Sequence, residues 1–298
     1  MQSYTLANGK TRHFTAPLNV VTINYATQPQ RLSEVSLAGM RQLEVDAVVI
    51  KNFLPPTEIE TLLQNLLRQP ANAVPLTQSK TYPFSFALLN RQSPAFEAEL
   101  QHYFEQCRQF RNSFAQTYGL DMEQRFTQVL TALNNNHPAR VLNLDAEHCY
   151  IPFTFRLIVP EKNHINLHAD NMFAHFAPEF YAPLKQVAEV HNQLSFFTVL
   201  QKPHTGGELS LYNVAWDVAK EFNIEEQSVI LHNGTHLHAQ QPQELYRQQF
   251  NLQPGDLVLF AGGQLYHRIE ETYGQQMRIT LGGFIGYSKN NDDIYYWS

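Results

Sequence analysis

The chain has 298 residues, a formal net charge of −6, 43% hydrophobic and 16% charged residues, and is rich in aromatics, with 20 Phe and 14 Tyr. That composition can bury a large core and excludes a disordered chain, while the acidic balance with no basic stripe argues against a nucleic-acid partner. The N-terminal MQSYTLANGKTRHFTAP lacks an apolar leader core and no run is long enough to span a bilayer, so a cytoplasmic protein without a membrane segment is expected.

Residues 1–45 are polar with scattered apolar positions and predict an arm or irregular cap. A short β-type run at 47–50 then leads through Pro55 and Pro56 into a helix, with Thr57 and Glu60 placed as a capping box. In that helix Ile59, Leu62, Leu63, Leu66 and Leu67 fall at helical spacing and make one buried face. Between 94 and 133, Phe96, Leu100, Tyr103, Phe104, Cys107, Phe110, Phe114 and Tyr118 recur at steps of three and four. They predict an amphipathic helix that supports the core, with the alternative that some aromatics reach into a substrate pocket. Cys107 and Cys149 share no short spacing and are expected as reduced, packed thiols.

From Glu147 the character changes to β. HCYIPFTFRLIV, NQLSFFTVLQ, GELSLYN, GDLVLFAGG and MRITLGGFIGYS are short β-branched and aromatic runs separated by Pro, Gly and Asn. Residues 173–190 interrupt them as helix or loop. Strands without long intervening helices argue for a sandwich or barrel. The whole of 1–298 is expected to be one α+β domain, with a mostly helical region over 1–140 packed on a β core over 147–288.

Among 13 histidines, His168-Ala169-Asp170 stands out because two good metal ligands lie two residues apart. At a strand end with a bend, both can reach one ion. His267, between two predicted strands, is the best second imidazole. Two imidazoles and one carboxylate leave three positions open on an octahedral ion, the arrangement of non-haem iron(II), although a zinc hydrolase could use the same set. HLH at 236–238, with His232, is a rival cluster, but Asn233-Gly234 marks a turn and no carboxylate or distant histidine completes it. GxSxG, Walker and CxxC motifs are lacking.

Arg278, eleven residues after His267, shares a strand face with Thr280 in an otherwise apolar run. A guanidinium aimed into a β core must be paired. A dicarboxylate such as 2-oxoglutarate would supply the pair through a bidentate fork, with Thr280 as a further donor; an internal ion pair is the alternative.

HAD, GGELSLYN, GDLVLF, His267 and MRIT together resemble the iron(II)/2-oxoglutarate dioxygenase superfamily, over about residues 147–288. The segment AVVIKNFLPPTEIETLL resembles the entry to prolyl-4-hydroxylase-type members. Residues 168–171, 193–197 and 206–216 resemble an HxGN-type motif, a QLS[FY]F strand and a GGEL…Y…W run of the freestanding aliphatic halogenases of cyanobacterial indole-alkaloid pathways. Those halogenases carry a small residue where this chain has Asp170, so the resemblance implies hydroxylation or a related oxidation rather than halogenation.

The resemblance further implies a double-stranded β-helix (jelly roll) with a helical support layer. It also implies iron(II) held by His168, Asp170 and His267, and a co-substrate, 2-oxoglutarate, whose C5 carboxylate meets Arg278 and Thr280. Dioxygen would be consumed, succinate and carbon dioxide released, and a small molecule oxidised. Arg156, on one strand face with Tyr150 and Thr154, is a candidate for the C1 carboxylate of 2-oxoglutarate or for a substrate anion. Ser195 and Tyr212 are candidates to touch 2-oxoglutarate, and Asn171 and Phe173 to line the substrate side. A peptidyl or prolyl-type hydroxylase and a non-catalytic jelly-roll binding module are the competing readings.

Overall fold

The computed structural model describes residues 3–69, 79–83, 93–176, 178–226, 228–238 and 245–298. A hairpin of β1 (Ser3–Thr5) and β2 (Thr11–His13) precedes β3 (Val20–Asn24), α1 (Leu37–Arg41), β4 (Ala47–Lys51), α2 (Pro56–Arg68) and β5 (Lys80–Tyr82). The helices α3 (Phe96–Tyr118) and α4 (Met122–Leu133) lead to β6 (Ala139–Val141), β7 (Thr154–Ile158) and β8 (Asn163–His168). After a 3-10 turn at Asp170–Met172 come α5 (Phe173–Phe176), α6 (Pro178–Val187) and the long β9 (Ala188–Gln201). Next are β10 (Thr205–Gly206), β11 (Leu209–Ala215), β12 (Ala219–Asn223), β13 (Ser228–Leu231), β14 (His236–His238) and β15 (Arg247–Phe250). The last strands are β16 (Leu257–Phe260), β17 (Leu265–Tyr273), β18 (Arg278–Ser288) and β19 (Ile294–Trp297).

Three expectations for the N-terminal half need correction. The polar 1–45 stretch is no loose arm: β3 pairs in parallel with β4 along Val20–Asn24, and Leu32, Leu37 and Met40 are buried. The capping box does not form either. Pro55 caps α2 without a side-chain bond and Pro56 opens it, its fixed φ and missing N–H suiting the first turn. Thr57 lies one residue inside, its carbonyl accepting from the Thr61 hydroxyl at 2.9 Å.

The aromatic 94–133 region is two helices rather than one. Gly119 takes φ 78°, the left-handed conformation that ends α3, and Asp121 caps α4 by accepting from the Gln124 N–H at 2.9 Å. Their aromatic faces close on the larger sheet: Phe126 lies 5.0 Å from Phe196 between ring centroids, and Tyr118 lies 5.2 Å from Phe155. Cys107 and Cys149 are free, buried thiols, and burial pushes Cys107 up to about 12.

The protein combines α-helices with large sheets. The larger sheet runs β3-β4-β16-β9-β18-β19-β6, with β7 beside β18 and β5 beside β7. All four residues of β16 are buried, as expected for a central strand covered on both faces. The smaller sheet runs β10-β17-β11-β15, with β8 on β17, and a third comprises β12-β13-β14. No described helix is long and apolar enough to cross a membrane.

Candidate active site

The smaller sheet presents two imidazoles together. His168 ends β8 and its ladder partner on β17 is His267, so the side chains leave one face, with ring centroids 4.3 Å apart. The chain then turns, and the Asp170 N–H donates to the Gly262 carbonyl at 2.8 Å. This brings Oδ1 of Asp170 to 3.4 Å from Nε2 of His168 and 3.6 Å from Nε2 of His267. The ligand atoms of the three residues lie within 4.8 Å of one another.

Each imidazole is oriented from behind. Nδ1 of His168 donates to the Asn166 carbonyl at 2.7 Å, and Nδ1 of His267 to the Leu265 carbonyl at 3.0 Å. A carbonyl can only accept, so the proton sits on Nδ1 and Nε2 keeps its lone pair for a cation. Burial and the neighbouring His168 push His267 down to about 4, so the ring is neutral near pH 7. Burial acts to raise Asp170, yet the two histidines and Ser195 hold its carboxyl down at about 2. Two imidazoles and one carboxylate facing a common point fit iron(II).

The carboxylate is fixed from its other side. Ser195, on β9, donates its hydroxyl to Oδ2 of Asp170. Gly262 follows β16 because a Cβ there would collide with Ser195 Oγ and Asp170 Oδ2. Neither Gly262 nor this bond was singled out from sequence. The cue present was the GG pair that follows a fully apolar strand.

The larger sheet supplies the cationic wall. A cavity of about 80 Å³, several times what one water needs, lies between the triad and β18 and β7. Arg278, Thr280, Arg156 and Thr154 line it with an apolar set that includes Phe173, Phe197 and Phe284. Arg278 is only 3% exposed; its Nε donates to the Gly207 carbonyl at 2.8 Å and its Nη1 to Thr280 Oγ1 at 3.4 Å. The guanidinium stacks 5.1 Å above the Phe197 ring. Burial, then repulsion from Arg156, lowers Arg278 to about 9. Arg156 stands opposite Thr280 in the β7–β18 ladder. Arg156 lines the cavity and is itself solvent-accessible, and desolvation among its neighbours lowers it too.

The internal ion pair weighed as the alternative for Arg278 is not formed, since no carboxylate among the described residues lies within salt-bridge distance of it. A buried guanidinium at Arg278 with no carboxylate partner fits the free carboxylate of a dianion such as 2-oxoglutarate.

Other candidates land elsewhere. Tyr212 does not line the cavity: Leu211 pairs with His267 and shares its face, so by alternation Tyr212 points to the opposite side, against Phe222 at 5.4 Å. Asn171 is buried and tied to a turn, exchanging bonds with Asn192 at 2.9 and 3.1 Å, rather than lining the substrate side. Phe173 does line the cavity, 5.6 Å from the His168 ring. None of the α3 aromatics reaches it. His232 and His236 are exposed and join no metal-binding group among the described residues; residues 239–242 and the His238 side chain lie outside them.

The family model described as carrier-protein-independent halogenase WelO5 matches residues 19–298. The chain belongs to that family. This WelO5-family protein is therefore a non-haem iron(II)/2-oxoglutarate oxygenase, with His168, Asp170 and His267 as its candidate iron triad. A search of curated proteins returns no match. Among solved structures, it is similar to an N-substituted L-amino acid dioxygenase from Burkholderia ambifaria AMMD, at 16% identity over 88% of this chain and 89% of that one, TM-score 0.56. The complex of that dioxygenase with α-ketoglutarate gives 15% identity over 88% and 89%, TM-score 0.53. A Pseudomonas putida prolyl-4-hydroxylase is more loosely similar, at 14% identity over 84% and 91%, TM-score 0.38.

Proposed function

We propose that this family member hydroxylates an unactivated C–H bond of a small molecule in specialised metabolism rather than halogenating it. The observation that carries the proposal is Asp170, whose Oδ1 faces both imidazoles where a halogenase would leave room for halide. When bound, iron(II) with 2-oxoglutarate and dioxygen supplies the oxidation, in which the C–H bond gains one oxygen atom while the co-substrate becomes succinate and carbon dioxide.

The residues do the positioning. His168, Asp170 and His267 hold the metal, and Ser195 keeps Asp170 from turning. Arg278 and Thr280 bind the C5 carboxylate of 2-oxoglutarate, the fork geometry of the guanidinium matching a carboxylate edge. Phe173 and Phe284, 6.2 Å apart, wall the cavity with apolar surface that suits a small molecule and keeps water out.

In this reading the two larger sheets are the halves of a double-stranded β-helix over residues 147–288. The helices before residue 140 brace it as one integrated domain over 1–298.

The test is anaerobic loading with iron(II) and 2-oxoglutarate, then oxygen, ascorbate, chloride and candidate substrates, with succinate and product mass measured. Succinate with a product heavier by one oxygen is expected. A chlorinated product, or succinate no higher than from Asp170→Ala, contradicts the proposal.

A further inference from the structure

The cavity holds one positive charge more than its cofactors answer. Asp170 is the lone side-chain carboxylate among its described lining residues, and it faces the metal position. Glu208 acts through space on Arg278, but from the neighbouring smaller cavity, with Arg278 between the two. The Arg156 side chain makes no hydrogen bond or ion pair with any described residue, and the carboxylate it senses is Asp170.

Suppose iron(II) and 2-oxoglutarate are bound as proposed above. Asp170 and one carboxylate of 2-oxoglutarate balance the metal, and the other balances Arg278. Arg156 is left over: it lines the cavity with no protein carboxylate paired to it, and its exposure leaves the guanidinium free to meet an anion.

Resting on that reading, we infer that Arg156 is a substrate-recognition residue and that the substrate carries a carboxylate on an apolar body. The apolar body follows from the rest of the wall, where Ile165, Phe173, Leu209 and Phe284 face the same space. The guanidinium offers a bidentate fork on the strand next to Thr280, so the anion would lie beside, not on, the Arg278–Thr280 subsite.

The test is calorimetry on the full chain loaded with manganese(II) and 2-oxoglutarate, with 3-phenylpropanoate and its neutral amide, 3-phenylpropanamide, as probes. The acid is expected to bind about tenfold or more tighter than the amide, the scale of a charge-assisted pair. Arg156→Gln abolishes that preference and leaves 2-oxoglutarate affinity within about threefold, whereas Arg278→Gln abolishes 2-oxoglutarate binding. Arg156→Lys, which keeps the charge, retains much of the preference and separates recognition from misfolding.

Equal binding of acid and amide, or of neither, overturns the inference. So does an Arg156→Gln loss confined to 2-oxoglutarate, which would place Arg156 on the co-substrate. Chloride competing as well as the acid overturns it in favour of a halide site. Failure of the wild-type chain to bind 2-oxoglutarate overturns the preceding reading as well; 2-oxoglutarate binding without acid preference overturns only this one.

Discussion

Ser195 donates to Oδ2 of Asp170, and this leaves Oδ1 alone to face the imidazoles of His168 and His267. A carboxylate so gripped presents one oxygen to a metal and cannot swing to present two. Residues that orient a ligand in this way commonly matter to affinity nearly as much as the ligand itself.

Ser195→Ala should therefore lower iron(II) affinity by about 10- to 100-fold while leaving the fold intact. Gly262→Ala should act in the same direction, because its new methyl displaces both Ser195 Oγ and Asp170 Oδ2. Calorimetric titration with the metal, beside a circular dichroism spectrum, measures both. Wild-type affinity in Ser195→Ala would show that the hydroxyl does not position the carboxylate.

The site divides by how local its signal is. His168 and Asp170 stand two residues apart in the chain, and Arg278 is a charge in an apolar run, so each announces itself within a few positions. Where a side chain points is a matter of register between strands distant in sequence. Alternation places Glu208, Ser210 and Tyr212 on one face, but only the pairing of Leu211 with His267 shows that this face is turned away from the metal. Asn171 likewise reads as a site residue beside the ligands until its bonds to Asn192, 21 positions on, are seen. In the N-terminal half, β3 escaped detection because VVTIN is short and is sustained by parallel pairing with β4 rather than by local pattern.

Phe126 ties the helices to the larger sheet. It is fully buried and its ring meets Phe53 at 5.4 Å, Phe153 at 5.5 Å and Phe196 at 5.0 Å. Phe126→Ala should cost about 3–5 kcal/mol by removing transfer energy and leaving a void. Denaturant unfolding gives the value; a loss below about 1 kcal/mol would mean that the helices contribute little to holding the sheet.

Alkaline pH should unfold the protein. Cys107 is pushed from 9.0 up to about 12 by burial, and Tyr4 from 10.0 up to about 12, burial outweighing the opposing effect of Arg12. Groups raised in the fold favour it fully below their unfolded values, and that contribution drains away as pH climbs towards the folded ones. Stability should therefore decline between about pH 9 and 12, as far-ultraviolet circular dichroism at increasing pH would record. A far-ultraviolet signal unchanged through pH 12 would contradict this.

The pairing of the triad with Arg278 is tested most directly by titrating 2-oxoglutarate calorimetrically into the metal-free chain, the iron(II)-loaded chain under anaerobic conditions, and loaded Asp170→Ala and Arg278→Gln variants. Tight binding that requires iron(II) in the wild type, and is lost in both variants, is the expected result. Binding that is indifferent to the metal, or unaffected by Arg278→Gln, in protein shown to be folded would contradict it.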